Sequence, residues 1–333
     1  MFDQNRFHAL VSAIQKAIRW CEVNDSRYIA RELIDMGAPY AVFGQLRIIA
    51  AEDIGLADPS MVGYVGDCLE SIEKVIKQYG IKREDFKNYP DLCDIVDRAV
   101  IAEAISYKSR LLPMATFATL FDIYKNEKFT RNRYVYFNLF VDALVKDDEQ
   151  KALYYAFIVD KIFGNRKPIL REIRNKSGKR NGALIREWID EYEKHEKLLN
   201  LTGSIVLLCR DLNFTHGEYK DAMEDYLSIS IKEASIPDRA YDMHTHEGRK
   251  KGRGLDFFFK VSGTVKNKRN ELKDDWEEVG KDAFYRANRQ GLANDDRIIE
   301  ATKVTKAAEA IKAAKSAKSA KRNRQAPTGV MPI

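Results

Sequence analysis

The chain has 333 residues, with 56 Lys+Arg against 50 Asp+Glu and a formal net charge of +6. A hydrophobic content of 45% supplies enough apolar material for a packed core and excludes wholesale disorder. No apolar run approaches the ~18 residues that a membrane span needs, the opening MFDQNRFHAL lacks signal-peptide character, and the 4 cysteines form no CxxC. A reducing compartment, cytoplasmic or nucleoid-associated, is expected. The charge is unevenly placed: residues 301–333 hold eight Lys/Arg against Glu309, a local +7, which leaves −1 for residues 1–300.

Helical periodicity dominates from the start. Residues 5–21 place Phe7, Leu10, Val11, Ile14, Ala17, Ile18 and Cys21 on one face. A second helix is expected over 26–36, ended by Gly37. Pro39 introduces a third, Tyr40 to Asp53, apolar nearly all round and therefore buried. Asp58-Pro59 reads as the N-cap and first residue of a fourth, running to Tyr79 before Gly80. Further helices fit 92–108, 114–126, 134–146, 149–163, 183–200 and 216–232.

Two basic segments break this pattern. Residues 161–186 carry nine basic residues and one acid among Gly, Pro and Asn, and residues 249–270 carry eight and one, interrupted by Phe257-Phe258-Phe259. An all-α chain is expected, in four parts. Residues 1–125 form a multi-helix domain and 126–235 a second helical region. Residues 236–295 are a Gly/Arg/Lys-rich segment with a helical end, and 296–333 a flexible basic tail. The tail places lysines at every third position, including Lys312, Lys315, Lys318 and Lys321. On a helix each such step turns about 300°, spreading charge round the whole circumference and leaving no apolar face to dock. A solvated arm that contacts phosphates through counterion release is expected.

The strings Ser12-Ala13-Ile14-Gln15-Lys16-Ala17-Ile18-Arg19 and Ala50-Ala51-Glu52-Asp53-Ile54-Gly55-Leu56-Ala57-Asp58-Pro59 carry a resemblance, continued by Arg98 to Ile105. Over about residues 5–120 the chain resembles the C-terminal helical domain of the RarA/MgsA family of clamp-loader-like AAA+ ATPases. The resemblance implies a collar through which subunits assemble, usually as tetramers, in DNA replication, recombination or repair. ATP hydrolysis does not carry over. A P-loop needs GxxxxGK[S/T], and the only Gly-Lys pairs, Gly178-Lys179 and Gly280-Lys281, precede Arg and Asp. The chain opens where the family's collar opens, so an AAA+ ATPase partner would be a separate chain. No cofactor is expected.

The motif residues also have a plain physical reading. Glu52 and Asp53 lie at the C-terminal end of a buried helix, where the macrodipole disfavours them. They need partners, most simply Arg47 or Arg31 or backbone N–H groups of the next turn. A rigid corner held by ion pairs, with Arg47, Glu52, Asp53, Asp58 and Pro59 in structural roles, is expected in preference to catalysis.

Asp242-Met243-His244-Thr245-His246 has the D-x-H-x-H form that opens several metallohydrolases, where alternate strand residues put two imidazoles on one metal. Fewer than 90 residues follow, without a histidine. A loop that makes hydrogen bonds or meets a partner is the preferred reading. Gly248, Gly252 and Gly254 allow close backbone approach, while Arg249, Lys250, Lys251 and Arg253 supply charge for an anion. Arg174, Lys176, Lys179 and Arg180 in the 161–186 segment have the same reading. The expected function is thus a non-catalytic, homo-oligomeric DNA-binding protein without a membrane partner. The alternatives are a metal-dependent phosphoesterase on Asp242, His244 and His246, or an assembly scaffold for acidic proteins.

Overall fold

A computed structural model describes residues 3–125, 129–130, 132–178, 181–195, 198–210, 220–269 and 275–289. The fold is all-α, and the described residues contain no strand, only an isolated bridge between Lys108 and Lys268. No helix among them is long and apolar enough to cross a membrane.

Helix α1 (Gln4–Arg19) starts where the Asp3 side chain accepts from the Arg6 N–H at 3.0 Å, filling one of the orphan donors of the first turn. It buries Leu10, Ala13, Ile14, Ala17 and Ile18 against α2 (Val23–Asp35). Gly37, at φ +75°, makes the left-handed exit that an L side chain resists. Pro39 opens α3 (Pro39–Ile49), where its missing N–H costs nothing.

The expected 40–53 helix ends early. At Ala50–Ile54 it widens into a π-turn, then tightens at Gly55–Ala57, with Gly55 at φ +52°. The two acids stand on that widened turn. Helix α4 (Ser60–Tyr79) begins one residue later than expected: Pro59 occupies the cap position, no side chain caps the helix, and buried Asp58 accepts from the Ser60 hydroxyl at 2.5 Å. Helix α5 (Pro90–Ile105) is buried along most of its length and packs on α2 and α4. Helix α6 (Leu111–Lys125) follows.

Helices α7 (Arg133–Val145) and α8 (Glu149–Phe157) pair closely, and α8 runs into a second π-turn, Ile158–Ile162. The first basic segment is not a loop throughout. Ile169, Leu170 and Ile173 give it a buried stripe and make residues Arg166–Lys176 a helix, α9. Within and beyond the expected 183–200 span the described residues form α10 (Gly182–His195) and α11 (Leu198–Cys209), the latter absorbing the most apolar run of the chain. Trp188 of α10 lies over Gly203 of α11, in space that a Cβ there would fill, and donates to the Pro59 carbonyl at 2.8 Å.

After α12 (Lys220–Ser228) come the short helices α13 (His246–Lys250) and α14 (Leu255–Phe257), with a third π-turn at Phe258–Ser262. Helix α15 (Asp275–Arg289) lies along α6, with Phe284 stacked on Phe117 at 3.5 Å between centroids. One apolar cluster runs from Leu10 to Ala287 and joins all of these elements except α13 and α14.

Candidate functional site

The strings singled out in the sequence converge on one place. Lys16 and Arg19 stand one turn apart on α1, and the first π-turn turns Glu52 and Asp53 toward them. Arg19 Nε donates to Asp53 Oδ1 at 2.6 Å and its Nη2 to Glu52 Oε1 at 3.1 Å. From the start of α6, Arg110 Nη1 reaches the same two oxygens at 2.5 and 2.8 Å. Gln15 Nε2 donates to Asp53 Oδ2 at 3.0 Å. Arg19 also holds the Ser262 carbonyl at 3.1 Å, tying the third π-turn to the first.

Asp53, Arg19 and Arg110 are all buried. Burial pushes the Asp53 carboxyl up, yet the two guanidiniums together hold it below its ordinary value. Burial likewise works against the charge of Arg110, and Glu52 and Asp53 outweigh it. Two acids meet two guanidiniums, so this network ties α1, the first π-turn and the start of α6 together.

The expected partners of Glu52 and Asp53 are corrected. Arg47 pairs with Glu73 at 3.0 Å and lies 3.9 Å from Glu191. Arg31 pairs with Asp97 at 2.9 Å and Asp94 at 3.4 Å. The widened turn carries the two acids round to the α1 side, away from the face that Arg47 occupies. Arg110, distant in sequence, was invisible to local pattern.

The D-M-H-T-H string builds the neighbouring wall as a capped corner. Asp242 Oδ1 accepts from the His244 N–H at 2.9 Å and faces His244 Nδ1 at 3.2 Å. Its Oδ2 lies 3.0 Å from Lys16 Nζ. Thr245 Oγ1 accepts from the Gly248 N–H at 3.0 Å and caps α13. Gly248 lies so close to the Asp242 backbone that a Cβ would collide with it. Burial raises Asp242, but His244 and Lys16 bring its carboxyl far below the usual range. Burial lowers the Lys16 ammonium, Arg19 adds to this, and Asp242 opposes.

A metal does not fit these residues. The string is a turn and not a strand, Asp242 is engaged by Lys16, and His244 and His246 are both exposed. Among the described residues, no three His, Cys, Asp or Glu are grouped to hold an ion.

Between α1, the first π-turn, the start of α6 and this corner lies an open cavity of about 560 Å³. Lys16, Arg19, Glu52, Arg110, His244, His246 and Arg249 all reach its wall, with Met114, Phe258 and Phe284 as apolar lining. Phe258 is buried and stands edge-on to His244 at 5.1 Å between ring centroids.

The expected DNA-contact residues are distributed unevenly. Lys251 Nζ pairs with Asp238 at 2.8 Å, and Arg253 binds the Asp238 carboxylate and donates to the Asp238 and Tyr241 carbonyls at 2.6 and 2.8 Å. Lys250 pairs with Glu247 at 3.2 Å, and Arg249 donates to the Met243 carbonyl at 3.2 Å. Arg174 bridges Asp190 and Glu193 at 2.9 and 2.8 Å, and Lys176 lies 3.9 Å from Glu172. Lys179, Arg180, Lys312, Lys315, Lys318 and Lys321 lie outside the described residues.

The sequence reading passed over two other bases. Lys167 and Arg171 stand with Arg174 at i, i+4 and i+7 on the outer face of α9, opposite the buried Ile169, Leu170 and Ile173. Both are exposed, and no ion pair is formed by either among the described residues. The signal was present in their spacing, hidden because the segment was taken for a loop.

Comparison with protein-family models, with curated proteins and with solved structures finds no match to this chain.

Proposed function

We propose that this chain is a non-catalytic, DNA-contacting assembly module that acts in replication, recombination or repair, with any ATPase on a separate subunit. The observation that carries the DNA contact is the outer face of α9. Lys167 and Arg171 project there with no ion pair among the described residues, beside Arg174, and the Glu193 carboxyl feels the Lys167 charge only at longer range. Helical spacing aligns such charges along a line, as a phosphate backbone requires. Lys250, Lys251 and Arg253 serve the reading less well, because Asp238 and Glu247 already engage them. A structural role for Glu52 and Asp53 in this module is supported by their ion pairs with Arg19 and Arg110. Fluorescence anisotropy of a labelled forked DNA across a salt series tests this reading. Affinity that falls steeply with salt supports it, and no binding at low salt refutes it.

Assembly has its own support. Helix α7 is apolar nearly all round, and its outer side exposes Tyr134, Val135, Leu139 and Val145. An outward apolar face of this kind suits burial against a second copy.

A further inference from the structure

The cavity beside the ion network carries an inference of its own, independent of DNA binding. Its volume of about 560 Å³ falls within the ~300–1,000 Å³ typical of small-molecule sites. Two acids reach its wall, and both are already neutralised: Glu52 by Arg19 and Arg110, and Glu247 by Lys250 at 3.2 Å. Arg249 is different, since its described hydrogen bond is to the Met243 carbonyl, a neutral acceptor that leaves the charge uncompensated. His246 stands exposed on the same wall, with no hydrogen-bond partner among the described residues. The cavity lining therefore offers donors and unbalanced positive charge.

The cavity also has an apolar lining. Phe258 and Phe284 line it together with Met114. The Phe258 ring is fixed by the edge-on contact with His244 and by the Arg110 guanidinium 6.0 Å from its centroid. The Phe284 ring is held by its stack on Phe117. Charge and fixed rings in the lining of one cavity select a ligand that has both an anionic group and a planar one.

We propose that this cavity binds a nucleoside monophosphate, with the phosphate at Arg249 and His246 and the planar base toward Phe258. The rim residues are exposed, so they can be changed without disturbing the buried network.

The test is calorimetric titration of the full chain with the common ribonucleoside 5′-monophosphates, with inorganic phosphate and adenosine as controls. Saturable binding of a mononucleotide, weakened about tenfold or more by Arg249→Ala and by His246→Ala, is expected from loss of a charge-assisted contact. Unchanged thermal stability of both variants shows that the loss is local. The proposal is overturned if no mononucleotide binds below about 10 mM, or if both variants bind as tightly as the parent. Adenosine binding as tightly as its monophosphate overturns the anion site, and inorganic phosphate doing so overturns the planar one.

Discussion

Replacing Asp53 with asparagine removes one of the two carboxylates that neutralise Arg19 and Arg110, and keeps the side-chain size. Asp53 is fully buried and accepts at 2.6 and 2.5 Å from the two guanidiniums. Removing one partner of a buried pair costs about 3–5 kcal/mol, because a charge is left without compensation. Here Glu52 still reaches Arg19 at 3.1 Å and Arg110 at 2.8 Å, which places the expected loss near the low end, about 3 kcal/mol. At roughly 2–4 °C per kcal/mol for a domain of this order, Tm falls by about 6–12 °C.

Urea unfolding should show the same loss as a shifted midpoint at unchanged slope. The pH dependence gives a second readout. The folded carboxyl is held below its ordinary value, so its stabilisation is fully present above the unfolded value of about 3.9. It is lost as pH falls through the depressed folded value. The gap between parent and Asp53→Asn should therefore close as the solution is acidified below about pH 4. A loss under about 1 kcal/mol at pH 7 would refute the reasoning, since it would mean the network contributes little beyond a surface pair.

Other outcomes follow from the same physics. Glu103 is buried, neither carboxylate oxygen has a well-formed hydrogen bond, and burial, opposed by Lys108 and a weak pull from the Ala50 backbone, raises its carboxyl well above the ordinary value. The sign is opposite to that of Asp53: stability is full below the unfolded value of about 4.3 and falls as pH climbs toward the raised one. Glu103→Gln should thus be more stable than the parent at pH 7 and equal to it near pH 4, in paired urea curves. For assembly, Tyr134 and Val145 are 62% and 65% exposed, so Tyr134→Glu with Val145→Glu should leave helicity intact. The solution mass by light scattering should then drop from that of an oligomer to that of one chain, and a parent already monomeric would contradict the assembly role.

Much of the architecture was legible locally because helix ends are chemical signals. Gly37 and Gly80 take the left-handed conformation, and Pro39 opens its helix. The π-turn at Ala50–Ile54 was not legible, since Ala50, Ala51 and Ile54 continue the apolar pattern of the helix it ends and no Gly or Pro falls within it. That turn decides the site, because it faces Glu52 and Asp53 toward α1. Arg110 follows from no periodicity; only the tertiary fold brings it to residues 57 and 58 positions away.

Charge counting misled in a specific way. The window 249–270 looked strongly basic because it began just after Glu247 and excluded Asp238, the two acids that engage Lys250, Lys251 and Arg253. In the other basic window, Pro and Gly hid a helix whose apolar stripe is short, only Ile169, Leu170 and Ile173. The D-x-H-x-H string has metal-binding meaning only on a strand. On a turn the same residues hold a cap and a buried Asp–Lys pair.

The proposed DNA contact through α9 is tested most directly by the salt slope of Lys167→Glu with Arg171→Glu. Log K against log salt, measured with forked duplex DNA, should flatten by about 2 units, at roughly 0.9 per lost phosphate contact. The circular dichroism of the variant should be unchanged, because both side chains are exposed on the outer face of the helix. A slope equal to that of the parent would contradict the account.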